Sequence, residues 1–208
     1  MDAAITAANV SLRYDRHAVF EGFNARIPHG RITALTGPNG SGKSSLLGLV
    51  AGVIPPTSGI VRRNLPGRVA FVAQRSAVAD TLPLTVRQTV AMGRWSDLGM
   101  LRRPTSADRA IVDHTLDLLG IRHLSRAPLG DVSGGQRQRA LVDQGLAART
   151  RLLLLDEPTT GIDDAGRDLV FAALRYARDR GVTVVLATHD TDAAAIADDT
   201  LALGAPVV

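Results

Sequence analysis

The sequence predicts an α/β fold, a parallel β-sheet with covering helices into which a mainly helical stretch is inserted. Three observations predict it. Short apolar runs at residues 31–37 (RITALTG), 67–74 (GRVAFVAQ), 151–158 (RLLLLDEP) and 181–190 (GVTVVLATHD) are bounded by Gly, Pro or charged residues, as expected of strands buried on both faces. Helical periodicity fills the gaps: KSSLLGLVAGV follows the first run, AGRDLVFAALRYARDR (165–180) precedes the fourth, and DTDAAAIADD follows it. Such alternation gives a parallel sheet covered by helices. Residues 80–147 depart from it, with helix-like stretches at 85–95, 106–120 and 135–148 and no comparable strand.

At 208 residues the chain fits one domain, here divided into a core (1–79 and 148–208) and the helical stretch (80–147). It has no cysteine, which excludes disulfides and thiolate metal sites and suits a cytosolic protein. The N-terminal residues lack a basic flank followed by an apolar run, and no stretch approaches the ~18–20 apolar residues that cross a bilayer. The net charge of +4 is compatible with nucleic acid or an anionic membrane surface. Nearly all the basic residues are arginine, however, which points to genome composition, and with 3% aromatics a base-stacking surface is not expected. No nucleic-acid partner is expected.

Lys43 is the only lysine among 24 basic residues. It lies in GPNGSGKSS, where Gly37, Gly42, Lys43 and Ser44 match G-x-x-x-x-G-K-[ST] between an expected strand and an expected helix. Gly37, Gly40 and Gly42 let main-chain N–H groups wrap phosphates without obstruction, and the helix N-terminus adds partial positive charge. The whole run Gly37, Pro38, Asn39, Gly40, Ser41, Gly42, Lys43, Ser44 and Ser45 is therefore the expected polyphosphate cradle. A compact ammonium reaches between β- and γ-phosphates where a planar guanidinium needs more room. The Ser44 hydroxyl can reach Mg²⁺.

RLLLLDEP supplies carboxylates. An apolar strand delivers Asp156 to its C-terminal end, where it can hold Mg²⁺ directly or through water. Glu157 follows, turned by strand alternation toward an attacking water, as metal holder and water-polarising base would require. A third signal is DVSGGQRQR (131–139), whose Ser133, Gly134 and Gly135 present a hydroxyl and N–H groups at an expected helix N-terminus, either a second anion site or a plain capped helix start.

The ordered set of the Lys43 loop, Gln74 after a strand, SGGQ at 133–136, LLLLDEP at 152–158, TGID at 160–163 and His189 in ATHD resembles the ATP-binding subunit of ABC transporters over nearly the whole chain. The resemblance implies a P-loop NTPase core with an N-terminal antiparallel β portion and an inserted helical subdomain. It implies that Tyr14 stacks on adenine, although a Tyr between two charged residues equally fits a strand surface. By the same resemblance Gln74 senses Mg²⁺ and water and links core to helices, and residues Ser133, Gly134, Gly135 and Gln136 contact the γ-phosphate of ATP held by a second copy. Asp163 would lie at that dimer seam, and His189 would bond the γ-phosphate and orient the attacking water. The implied partners are transmembrane permease subunits, a second copy of the chain and, indirectly, a solute-binding protein, at the cytoplasmic face of the membrane. His17, His29, His114 and His123 are scattered, as solvated surface residues are.

Three features depart from the family's pattern. Val132 stands where Leu is usual, Asp143, Gln144 and Gly145 bring an acid and a helix-weakening glycine into the helix after SGGQ, and the chain stops soon after its last strand, so no C-terminal regulatory domain is expected. For the substrate, residues 74–112, above all LPLTV, MGRW and RRPTSADR, resemble importers of zinc or manganese. Siderophore and haem importers share part of this pattern, and a non-transport ABC ATPase is a further alternative. A long coiled-coil insertion or a second cassette would mark the latter, and this sequence has neither.

Overall fold

The computed structural model describes residues 3–15, 17–73, 83–95 and 103–204. Strands β1 (Ala3–Tyr14) and β2 (His17–Pro28) form an antiparallel hairpin with Tyr14 opposite His17 at its tip, and β4 (Ser58–Arg63) pairs with the other edge of β1. Register shifts along β1 interrupt its in-out alternation, which is why these two long strands are not marked by a strict period of two in the sequence.

The second sheet is wholly parallel. It contains β3 (Ile32–Thr36), β5 (Val69–Val72), β6 (Leu152–Asp156), β7 (Thr183–Ala187) and β8 (Asp199–Ala202), in the order β5-β6-β7-β3-β8. Every residue of β6 and β7 is buried. Period two divides them between faces: Leu153 and Leu155 join one core with Ile32, Ala34, Val184 and Leu186, while Leu152 and Leu154 join the other with Leu35, Val185 and Ala187. Each such leucine contributes roughly 1.5–3 kcal/mol by leaving water.

The four expected strands are all present, and the sheet has a fifth. Residues 190–199 were expected to be helical, but only α6 (Thr191–Ala195) is. The chain then straightens into the edge strand β8, positioned by Asp198, whose Oδ2 accepts from the Ile32 N–H at 2.8 Å. With only Leu201 and Ala202 apolar, after Asp199 and Thr200, β8 has too short an apolar pattern to be read locally.

Helices α1 (Lys43–Ala51) and α5 (Asp164–Asp179) cover the sheet. Between β5 and β6 the described residues form α2 (Val86–Met92), α3 (Ser106–Leu118), a 3₁₀ turn at Arg122–Leu124 and α4 (Gly134–Ala147). All three of these helices start with a capping box: Thr85 with Gln88, Thr105 with Asp108, and Ser133 with Gln136. The T-V-R-Q, T-S-A-D and S-G-G-Q spacings carry that signal in the sequence.

Two of the motifs that resemble metal importers meet inside this region. Arg94 of MGRW is buried, its Nε donates to Asp108 Oδ1 of RRPTSADR at 3.1 Å, and its Nη1 donates to the Ala147 carbonyl at 3.1 Å at the end of α4. Hydrogen bonds from Thr105, and then the Arg94 guanidinium, hold the Asp108 carboxyl well below the usual carboxylate range. Gly145 also has a packing reason. A Cβ there would stand 2.7 Å from Val72 Cγ2 and 3.0 Å from Leu153 Cδ1, so the helix-weakening residue lets α4 press against β5 and β6.

Candidate active site

The C-terminal ends of β3, β6 and β7 lie side by side, and each leads into expected site residues. The loop after β3 enters α1 through Gly42, which is left-handed (φ 91°) and whose missing side chain makes room for Phe20 and Val19 of β2, each 2.7 Å from where a Cβ would stand. The antiparallel sheet is thereby seated on the phosphate loop. No side chain caps α1 and no acid occupies its first turn, so the orphan N–H groups there remain available to an anion. Gly40 (φ 82°) has open space where its Cβ would be, which leaves that side of the cradle unobstructed.

Lys43 is buried, and its Nζ donates to the carbonyls of Gly37 (2.8 Å) and Pro38 (3.1 Å). The ammonium is thus held by the loop that would wrap the phosphates. Ser44 is exposed at the mouth of the loop, with its hydroxyl near the Asp156 carboxyl. Burial pushes that carboxyl above its ordinary value. The Ser44 hydroxyl pulls it back, neighbouring Glu157 raises it, and Lys43 lowers it. A buried carboxylate paired with a hydroxyl is an all-oxygen donor set suited to Mg²⁺, which keeps several waters and takes few protein ligands. Among the described residues there is no group of three or more His, Cys, Asp or Glu arranged to hold a metal ion. Gln74, expected at the same site, lies outside the described residues.

Strand alternation was expected to aim Glu157. The chain instead leaves β6 through it. Its N–H still donates to the Ala187 carbonyl of β7 (3.0 Å), but its φ of 52° is left-handed, a conformation unusual for a residue with a side chain. Such strain persists only where surrounding contacts enforce it, and it gathers at functional sites. The turn brings Glu157 Oε1 to 2.8 Å from Nδ1 of His189, just past the end of β7. Glu157 is nearly buried and His189 largely exposed, so the pair reaches from the sheet edge into a cleft of about 420 Å³ lined also by Thr159, Thr160, Gly161, Asp190 and Thr191.

Ser133 and Gln136 are the two halves of the α4 capping box: Gln136 N–H donates to Ser133 Oγ (3.3 Å), and Ser133 N–H donates to Gln136 Oε1 (3.0 Å). This segment is therefore a capped helix start. The box occupies the serine oxygen as acceptor and leaves its O–H free to donate. Gly135 lies against Gly161 and Ile162, with no room for a side chain. Asp163 is exposed and caps α5, its Oδ1 accepting from the Gly166 N–H (3.0 Å). Tyr14 is exposed at the tip of the β1–β2 hairpin. One residue that motif reading did not single out reaches the site: Gln138 of α4, 1% exposed, whose Nε2 donates to the Glu157 carbonyl at 3.3 Å. Only its i+3 spacing from Gly135 hints at this in the sequence.

A parallel sheet whose strand ends carry a glycine-rich phosphate loop, a buried aspartate and a Glu–His pair is the architecture of a P-loop NTPase. The pattern of the ABC transporter family matches residues 20–160, and the chain belongs to that family as an ABC-type ATPase. It is 33% identical over 206 residues to the manganese transport system ATP-binding protein MntB of Listeria innocua, spanning 96% of this chain and 86% of that protein. It is 34% identical over 193 residues to the zinc transport system ATP-binding protein TroB of Treponema pallidum, covering 90% of this chain and 73% of that protein. Among solved structures, a metal-chelate type ABC transporter captured facing inward superposes with a TM-score of 0.84 at 32% identity, over 97% of this chain and 80% of the other. No helix among the described residues is long and apolar enough to cross a membrane.

Proposed function

We propose that this chain is the ATP-hydrolysing subunit of an importer for a divalent metal ion, zinc or manganese, working in pairs beneath transmembrane permease subunits at the cytoplasmic face, with a solute-binding protein delivering the ion. The Glu157–His189 contact beside the Ser44–Asp156 pair carries the hydrolytic part of this reading. Its metal part is supported by likeness to the MntB and TroB proteins.

In this reading residues 37–45 hold the phosphates, and Lys43 exchanges its carbonyl partners for β- and γ-phosphate oxygens. Ser44 and Asp156, with Gln74, would hold Mg²⁺, which when bound neutralises phosphate charge. The Glu157 carboxylate takes the proton of a water as its oxygen bonds to the γ-phosphorus, and the bond from that phosphorus to the β-γ bridging oxygen breaks to release ADP. His189 donates Nδ1–H to Glu157, and a proton on Nε2 would let the same ring donate to the γ-phosphate. Residues 133–136 of one copy close over ATP bound by the other, with Asp163 at the seam, in a two-fold pair. Tyr14 stacks on the adenine.

Deletion in the source cell tests the substrate. Growth should fail under chelation and return with added zinc or manganese. The metal-chelate transporter similarity favours a second reading, uptake of a chelated metal such as a ferric siderophore or haem. A growth defect only on chelated iron, with normal growth under zinc and manganese limitation, would replace the first reading by the second.

A further inference from the structure

The first turn of α4 presents one face to the turn that carries Glu157. Gly135 and Gln138, three residues apart, share that face. Gly135 packs so tightly on Gly161 and Ile162 that a Cβ would stand 2.8 Å from the Gly161 carbonyl oxygen. Gln138, almost fully buried, donates its amide to the Glu157 carbonyl (3.3 Å), the same oxygen that accepts the Thr160 N–H (3.3 Å) to close the turn. On the other side of the residue, the Glu157 N–H is fixed on the Ala187 carbonyl. A residue held at a φ of 52° between those anchors aims its carboxylate wherever they set it.

We infer that Gln138 is a positioning residue: it fixes the main-chain turn of Glu157, and it ties the Glu157 carboxylate to residues 133–136 at the start of the same helix. This rests on the reading of Glu157 as the base and of residues 133–136 as the surface that meets ATP on a second copy. A helix is stiff over one turn. When residues 133–136 are drawn onto a nucleotide, a shift of α4 reaches the Glu157 carbonyl through one side chain. The base of one site is then set by occupancy of the other, and the two ATP molecules of a pair are hydrolysed cooperatively. Misplacement of a reacting group by about 1 Å costs on the order of 10²-fold in rate, so one hydrogen bond at this pivot is enough to matter.

The test replaces Gln138 by Met, which keeps the length and loses the donor, and by Asn, which keeps the amide and withdraws it by one methylene. ATPase rate is measured against ATP concentration, and nucleotide affinity by fluorescence of trinitrophenyl-ATP. Both variants should bind the probe within about twofold of wild type, lose about tenfold or more in kcat with little change in KM, and show a lower Hill coefficient. Wild-type kcat and Hill coefficient in a folded Met variant would overturn the inference, as would equal loss of probe affinity and kcat in both variants, which marks a merely structural role. If Gln138→Met prevents folding, Gln138→Asn decides alone by the same readouts. Wild-type hydrolysis in Glu157→Gln would instead remove the underlying reading of Glu157, independently of Gln138.

Discussion

Nδ1 of His189 stands 2.8 Å from Oε1 of Glu157, joining residues from the ends of two neighbouring strands, one nearly buried and one exposed. In the proposed reaction the buried partner would hold a water in register, and the exposed one would follow a phosphate as it arrives and leaves.

Glu157→Gln keeps the shape of the turn and removes the proposed base. Its kcat should fall by about 10²-fold or more while ATP affinity holds. MgATP should then accumulate a paired species on size-exclusion chromatography with light scattering. Adding Ser133→Phe should abolish the pair, because Ser133 is exposed and a ring there would stand between the two copies, and leave binding through residues 37–45 intact. A Glu157→Gln protein that binds ATP and stays monomeric would show that closure needs the permease or a different subunit.

Lys43 sits in a buried notch with its Nζ between two loop carbonyls. Lys43→Ala should weaken ATP binding by about 10- to 100-fold, the loss of one charge-assisted hydrogen bond of roughly 1.5–3 kcal/mol. Lys43→Arg should recover little, since the planar fork is too broad for the notch. Isothermal titration with ATP checks both, and wild-type affinity in the arginine variant would mean that charge alone suffices.

Asp143 is fully buried on α4. Burial pushes its carboxyl up to about 8; neither carboxyl oxygen has a hydrogen-bond partner among the described residues, and the nearby Thr115 hydroxyl, whose one proton goes to the Val112 carbonyl (3.3 Å), offsets this only in part. Between an unfolded value of about 4 and a folded value of about 8, the folded state holds a proton that the unfolded state has released. Stability therefore falls as pH rises through that window, by up to about 1.4 kcal/mol per unit, and levels off above it. Asp143→Asn removes this titration. Denaturant melts at pH 5 and pH 8 should show the wild type losing stability relative to the variant at the higher pH; parallel behaviour would mean that the carboxylate finds a charged partner.

Much of the site is legible in the sequence because its chemistry is local. Phosphate loops need glycines and a lysine within nine residues, and a carboxylate at a strand end follows its apolar run directly, so residues 37–45, Asp156 and Glu157 stand out without knowledge of the fold. Helix starts are equally local, as the capping spacings before α2, α3 and α4 show.

Tertiary structure alone decided what depends on two distant segments at once. The edge strand β8 exists because β3 offers it a partner, since its own four residues carry too little apolar pattern to announce it. Gly145, unfavourable in an isolated helix, is required once β5 and β6 press against α4. The aim of Glu157 comes from a left-handed turn held by Ala187 on one side and Gln138 on the other, residues 30 and 19 positions away. Sequence pattern records propensity and period along the chain, whereas these contacts are set by packing between elements that meet only when the sheet closes, and packing overrides propensity wherever the two disagree.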